Sequence, residues 1–302
     1  MWRIETRREL DDKEFYAIVR LIDDAAEHDG FRSLSDQLWL DLENRSRVAF
    51  AAVLAIDELD RIGAYAQLAE GNRSTGVELV VSPDVRRESR VLAPLMLRAA
   101  FDHIAAGGGG TVFWWVHRPD DSADLIADEV GLTLGRQLLQ MRRSLPMAET
   151  TDVETRPFVV GRDEGEWLRV NNAAFHDHPE QGGWTIETLR QREVEPWFDP
   201  EGFRLHERDG KLAAFCWTKV HDDATPPMGE IYVIAVDPSF QGLGLGRAMT
   251  LAGLAHLASN GLTVGMLHVD GANTAALSLY ERLGFTSHHA DHAYIGEIPA
   301  RL

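Results

Sequence analysis

Gln241-x-x-Gly244-x-Gly246, within PSFQGLGLGRAM (238–249), places glycines at alternate positions between two unlike stretches. GEIYVIAV (229–236) before it reads as a strand, and AMTLAGLAHLASN (248–260) after it reads as a helix. Glycine carries an entropic cost on folding, so three at one junction suggest that something comes very close to the backbone there. Successive N–H groups along Gln241, Gly242, Leu243, Gly244, Leu245, Gly246 and Arg247, backed by the positive end of a helix starting near Arg247, suit an anion. A dinucleotide fingerprint fails, because its third glycine falls on Arg247 or Met249. A P-loop fails because no lysine is present. A pyrophosphate with an attached pantetheine arm remains, and a tight turn without function is the alternative.

Two nearby side chains are of types that move protons. Glu230 opens the strand before the turn, and strict alternation would put it on one face with Tyr232, Ile234 and Val236. Tyr280 lies in NTAALSLYERLGF (273–285) beside Leu277 and Leu283. Acyl transfer to an amine needs a proton taken from the ammonium, a polarised thioester carbonyl, a proton for the leaving thiolate and reactants held in line. Glu230 is the candidate base, and burial would have to raise its pKa for that task. Tyr280 is the candidate acid, its ring buried and its hydroxyl turned to the ligand. The backbone of Ile234, Ala235 and Val236, as a strand edge, would pair with pantetheine amides. The plainer readings are a solvated strand-end Glu and a core aromatic.

The elements that must position these groups occur twice. GVELVVSPDVRRESRVLAPLMLRAAFDHIAAGGG (76–109) parallels GEIYVIAVDPSFQGLGLGRAMTLAGLAHLASNG (229–261), with Pro83 answering Pro238 and Gly131 answering Gly284. Each half reads as helices, an antiparallel meander, then strand–turn–helix–strand–helix. Asp209-Gly210 marks a hairpin in the second. The expected class is α/β (α+β), two tandem domains, each a mixed, mostly antiparallel sheet flanked by helices. The boundaries expected are 1–145, a linker over 146–157 rich in Pro, Thr and acids, and 158–302.

The net charge of −18 argues against nucleic acid and anionic membranes. No apolar run reaches the roughly 18 residues of a membrane span. The acidic N-terminus does not read as a secretory signal, and the lone Cys216 permits no intrachain disulfide, so a cytoplasmic setting is expected; a monomer is expected separately. Cys216 reads as a small core residue. His288 and His292 have i, i+4 spacing, but a strand is expected there, and His176, Asp177 and His178 give a similarly low signal; no metal is expected.

The ordered set of turn, Asn273 before a helix, Tyr280 and Leu-Gly-Phe resembles the GNAT acetyltransferase superfamily. WLRVNNAAFHDHPEQGGW (167–184), WFDPEG (197–202), WTKVH (217–221) and GEIYVIAVDP (229–238) further resemble the mycothiol synthase family of tandem GNAT proteins. The resemblance implies acetyl transfer from acetyl-CoA to the cysteinyl amine of cysteinyl-glucosaminyl-inositol. It implies a catalytic second domain and a first domain that catalyses nothing. It places the cofactor on the turn and on Asn273, Thr274, Ala275, Ala276, Leu277 and Ser278, with Tyr280 near its sulfur. It places the acceptor against Asp36, Glu180, Lys219, Glu230 and His268. His268 stands where the family usually carries Tyr. In the first half the turn reads Arg86-Arg87-Glu88-Ser89-Arg90-Val91, where Ser89 and Val91 replace glycines; these arginines would hold CoA loosely, if at all. Another small amine as acceptor, or a CoA-binding sensor without catalysis, are the alternatives.

Overall fold

The computed structural model describes residues 1–43, 50–70, 74–176, 181–222 and 224–301. In chain order the elements are β1 (Arg3–Arg7), α1 (Asp12–Asp29), α2 (Asp36–Glu43), β2 (Ala51–Ile56), β3 (Ile62–Glu70), β4 (Ser74–Val81), α3 (Ser89–Ala106), β5 (Gly110–Val116), α4 (Asp121–Val130) and β6 (Thr133–Ser144). There follow β7 (Arg156–Pro157), α5 (Glu164–Ala174), α6 (Ile186–Glu193), β8 (Phe203–Arg208), β9 (Lys211–His221), β10 (Met228–Val236), α7 (Leu245–Ser259), β11 (Val264–Asp270), α8 (Thr274–Arg282) and β12 (Thr286–Ile298).

The chain forms two compact units, Met1–Leu138 with Ala290–Leu302, and Leu139–His289. This division differs from the expected 1–145 and 158–302. Ladder hydrogen bonds, not chain proximity, set the membership of the last strand: Ala293 pairs with Trp115 and Ile295 with Phe113 on β5. The segment expected to be a linker, 146–157, lies within the second unit.

In the first unit the strand order is β1-β2-β3-β4-β5-β12, antiparallel except for the parallel β4–β5 pair. Residues of β2 alternate between two cores. Val53 and Ala55 join Met96 and Leu97 of α3, whereas Leu54 and Ile56 join Ile18, Leu21 and Ile22 of α1. Helix α1 starts on a capping box, with Asp11 accepting from the Glu14 N–H and Glu14 returning to the Asp11 N–H, and stops at the left-handed Gly30.

In the second unit the order is β6-β11-β10-β9-β8-β7. The β8–β9 hairpin turns on Asp209 and Gly210, both left-handed, as the sequence suggested. One sheet face carries Cys216, Ile231 and Leu267 against Met249 and Leu254 of α7. The other carries Phe215, Trp217, Val233 and Ala235 against Trp167 of α5 and Leu189 of α6. Cys216 is fully buried, and burial pushes its thiol up to about 12, fitting a core residue.

Gly253 sets how closely α7 lies on this sheet. A Cβ there would stand 2.5 Å from Cys216 Sγ and 2.7 Å from Ile231 Cδ1. Since α7 begins at the glycine turn, the same contact fixes the height of that turn over β10. Gly253→Val is expected to destabilise the protein by about 1–3 kcal/mol through overpacking. A lower urea midpoint at unchanged slope measures it, and an unchanged midpoint would contradict the packing argument.

Candidate active site

Asp237 builds the turn from below. It is nearly buried, accepts from the Ser239 N–H at 2.8 Å, and is held by Arg169 at 2.6 Å. Pro238–Phe240 then wind one short 3-10 turn, Gln241 is extended, and Gly242 and Gly244 take left-handed φ of 78° and 74°. Helix α7 starts at Leu245, two residues earlier than expected. The first N–H groups of a helix have no intrahelical acceptor, so those of Leu245, Gly246 and Arg247 face outward at the positive end of the dipole. Gly246 has no fold-based reason to be glycine. Its φ is not left-handed, and a Cβ there would meet only Leu279 Cδ2, at 3.8 Å.

The turn forms one wall of a groove of about 490 Å³. Val236, Gln241, Gly242, Gly244, Gly246 and Arg247 line it. From α8, Ala275, Leu279 and Arg282 face it. Leu279 and Arg282 were not anticipated, although 275, 279 and 282 share one helical face. Arg282 adds a second cation to Arg247. Other expected residues do different work here. Asn273 caps α8, accepting from the Ala276 N–H at 3.1 Å. Ala276 and Leu277 pack against the core. Thr274, Ser278 and Leu243 are exposed outside the groove lining.

Strand β10 is not a sheet edge, yet part of it behaves as one. It pairs with β9 along its length but with β11 only at Gly229, Glu230 and Ile231. From Tyr232 to Val236 the two parallel strands part; Ile234 and Val236 turn their main-chain groups to the fork, whereas Ala235, expected to do the same, lies in a hydrogen-bonded pair with Phe215 on β9. The register also shifts between Ile231 and Val233, with Tyr232 as the extra residue. This bulge corrects the expected alternation. Tyr232 packs with Val233 and Ala235, while Ile234 and Val236 lie on the opposite, α7 face with Ile231. Glu230 therefore does not share a face with Ile234 and Val236.

Glu230 is 7% exposed. His221 Nε2 contacts its Oε2 at 2.7 Å and His268 Nδ1 its Oε1 at 3.0 Å. Burial alone would raise this carboxyl, but the hydrogen bonds and charge of the two histidines outweigh it and hold it well below the carboxylate range. The expected upward shift is thus reversed, because the sequence did not reveal the second and third members of the cluster. His221 sits two residues along β9 from Lys219, the register partner of Glu230. That signal was legible only once the strand register was known. Lys219 itself is buried, its Nζ 4.8 Å from the Trp197 ring and 5.7 Å from that of Tyr232.

Tyr280 is 7% exposed and packs in one core with Leu245, Ile231 and Leu267, edge-on to Phe285 at 5.8 Å. Burial pushes its phenol up to about 12, so it stays protonated at neutral pH. Glu230 and Tyr280 thus flank the fork on opposite faces of the sheet.

Asp36 is the exposed first residue of α2 in the first unit. Glu180 lies outside the described residues, as do Asp177 and His178. His288 and His292 fall on β12, where a helical i, i+4 pairing does not arise. In the first unit, residues 83–88 wind into 3-10 helix and Ser89 has φ −52°, so no left-handed pair opens the main chain. Arg86 is engaged by Asp29 at 3.2 and 2.9 Å and by the Val81 carbonyl.

The acetyltransferase (GNAT) family model matches residues 167–285. The mycothiol acetyltransferase of Thermobispora bispora is 46% identical over 300 residues, covering 97% of this chain and 98% of that protein. That of Thermomonospora curvata is 46% identical over 294 residues, 94% of each. A solved GCN5-related N-acetyltransferase from Sphaerobacter thermophilus superposes with a TM-score of 0.69 at 22% identity, over 99% of this chain and 97% of that one. A tandem GNAT protein from the clavulanic acid biosynthesis pathway gives 0.68 at 15% identity over 100% of both chains. Near-complete alignment at such identity establishes that the chain belongs to the mycothiol acetyltransferase family of GNAT enzymes.

Proposed function

We propose that the chain transfers the acetyl group of acetyl-CoA to the cysteinyl amine of cysteinyl-glucosaminyl-inositol, the acetylation that completes mycothiol. Acetyl transfer in mycothiol biosynthesis follows from the family; the acyl donor, the acceptor and the residue roles are this proposal. The observation that carries it is Gly246, a helical glycine that packing does not require, beside a strand fork with unpaired main chain.

The N–H groups of 242–247, with Arg247 and Arg282, would hold the diphosphate. The main chain of Ile234 and Val236, on either side of Ala235, would hold the pantetheine amides and polarise the carbonyl. Acetyl-CoA supplies the thioester, an acyl group on a good leaving thiolate. On one face of the fork the Glu230–histidine cluster takes a proton from the acceptor ammonium, and the freed amine attacks the carbonyl carbon. On the other face Tyr280 gives a proton to the departing sulfur. Lys219 and His268, on the Glu230 face, would contact the acceptor, and Asp36 and Glu180 are further proposed contacts. No described helix is long and apolar enough to cross a membrane. A cytoplasmic monomer without a metal, with a non-catalytic first unit, completes the reading.

Release of free thiol from acetyl-CoA, with the cysteinyl sugar compared against plain amines, tests the proposal. Preference for the cysteinyl sugar is expected; CoA binding without turnover on any amine would point to a sensor instead. Tyr280→Phe is expected to lower kcat about 100-fold with little change in CoA affinity, since general acids contribute of that order. A kcat within threefold of the parent removes Tyr280 from the acid role. Gly246→Val should leave the melting temperature nearly unchanged while CoA affinity, read by calorimetry, falls at least about tenfold. Intact affinity would show that the main chain there is not a contact surface.

A further inference from the structure

Two histidines hold Glu230, but they stand at different ends of it. His221 pairs with Met228 across the β9–β10 ladder, on the side of Glu230 away from the glycine turn. His268 directly follows Leu267, the last β11 residue paired with β10, so it stands where the fork begins to open. It shares the Glu230 face of the sheet, and about 30% of its side chain is exposed.

The neighbours of His268 decide which ring nitrogen carries the proton. Arg142 Nε donates to Gln140 Oε1 at 2.7 Å. That bond orients the Gln140 amide so that its NH2 meets His268 Nε2 at 3.3 Å. An amide NH2 only donates, so Nε2 accepts and the ring proton lies on Nδ1, donating to Glu230 Oε1. In that tautomer the basic nitrogen is turned from the carboxylate. This is the arrangement in which a carboxylate fixes tautomer and orientation and then stabilises the imidazolium that forms. At 3.3 Å the Gln140 contact is long for a hydrogen bond, so an ammonium N–H can displace it.

We propose that His268 Nε2, and not an oxygen of Glu230, takes the proton from the acceptor ammonium, and that Glu230 is the positioning residue for that ring. The inference rests on the acetyl-transfer reading above and names its proton acceptor. Geometry favours the ring, since both Glu230 oxygens are engaged by histidines while Nε2 meets the long Gln140 contact. A carboxylate held below its usual range is a far weaker base.

The step balances as follows. An ammonium N–H bond breaks and an Nε2–H bond forms, leaving neutral amine and an imidazolium paired with the Glu230 carboxylate. The amine nitrogen bonds to the thioester carbon, the C–S bond breaks, and the sulfur takes the Tyr280 proton. The second nitrogen proton restores the phenol, and the imidazolium returns its proton to solvent, so one proton is released per amide formed.

His268→Asn in the full chain keeps an N–H donor for Glu230 but has no basic nitrogen. It is expected to lower kcat at least about 100-fold with the KM for acetyl-CoA within threefold of the parent. His268→Ala leaves a gap, and added imidazole is expected to restore turnover in a saturable way; in Glu230→Gln, which keeps the histidine, imidazole should not. A His268→Asn enzyme within threefold of the parent overturns the inference and returns the proton to Glu230, leaving acetyl transfer intact. An inactive His268→Ala that binds CoA normally but ignores imidazole also overturns it, since His268 would then serve only packing or acceptor contact. A parent enzyme that acetylates no amine would instead refute the underlying reading, a different result from either.

Discussion

The parting of β10 from β11 after Ile231 is the constraint on which the rest depends. A buried parallel strand ordinarily satisfies its main chain on both sides, because unpaired peptide groups are costly away from water. Here β10 gives up one ladder over 232–236 while keeping the other. The loss is tolerable where water or a ligand takes the place of the missing strand. The bulge at Tyr232 reorganises the side chains at the same level, sending Val233 and Ala235 to the aromatic core and Ile234 and Val236 to α7. Glu230 and Tyr280 can then stand on opposite faces of the sheet beside the fork. Helix α7, seated close through Gly253, brings its positive end to the far end of the same opening.

Much of this was legible in sequence because the signals were local. The glycine turn, the strand before it, the Asp209-Gly210 hairpin and the Tyr280 helix all follow from residues within a few positions of each other. What escaped was non-local. His221 and Gln140 reach the Glu230 cluster from strands whose register a single sequence does not display. The direction of the Glu230 shift reversed for that reason: burial was foreseeable, its two imidazole partners were not. The bulge broke a period-two argument that would hold on an ideal strand. Arg282 was missed although its spacing from Ala275 and Leu279 is helical, because attention fell on the residues next to Asn273.

The two units keep one order of elements but differ where chemistry would occur. In the first, the stretch after β4 winds directly into 3-10 and α-helix, and Arg86 is committed to Asp29. Glycines at 242 and 244 do more than leave space; they permit a backbone path that serine and arginine do not favour. Loss of that path is sufficient to remove an anion cradle even when the surrounding helices and strands persist.

Membership of the last strands has an evolutionary consequence. The first unit takes Ala290–Leu302 from the far end of the chain, and the second begins inside β6, at Leu139. A gene encoding only the front half would lack the strand that pairs with β5, and a gene for the back half would carry that strand without its partner. Cutting the gene between the halves would therefore leave neither product with a whole set of strands, and the two halves must be inherited together.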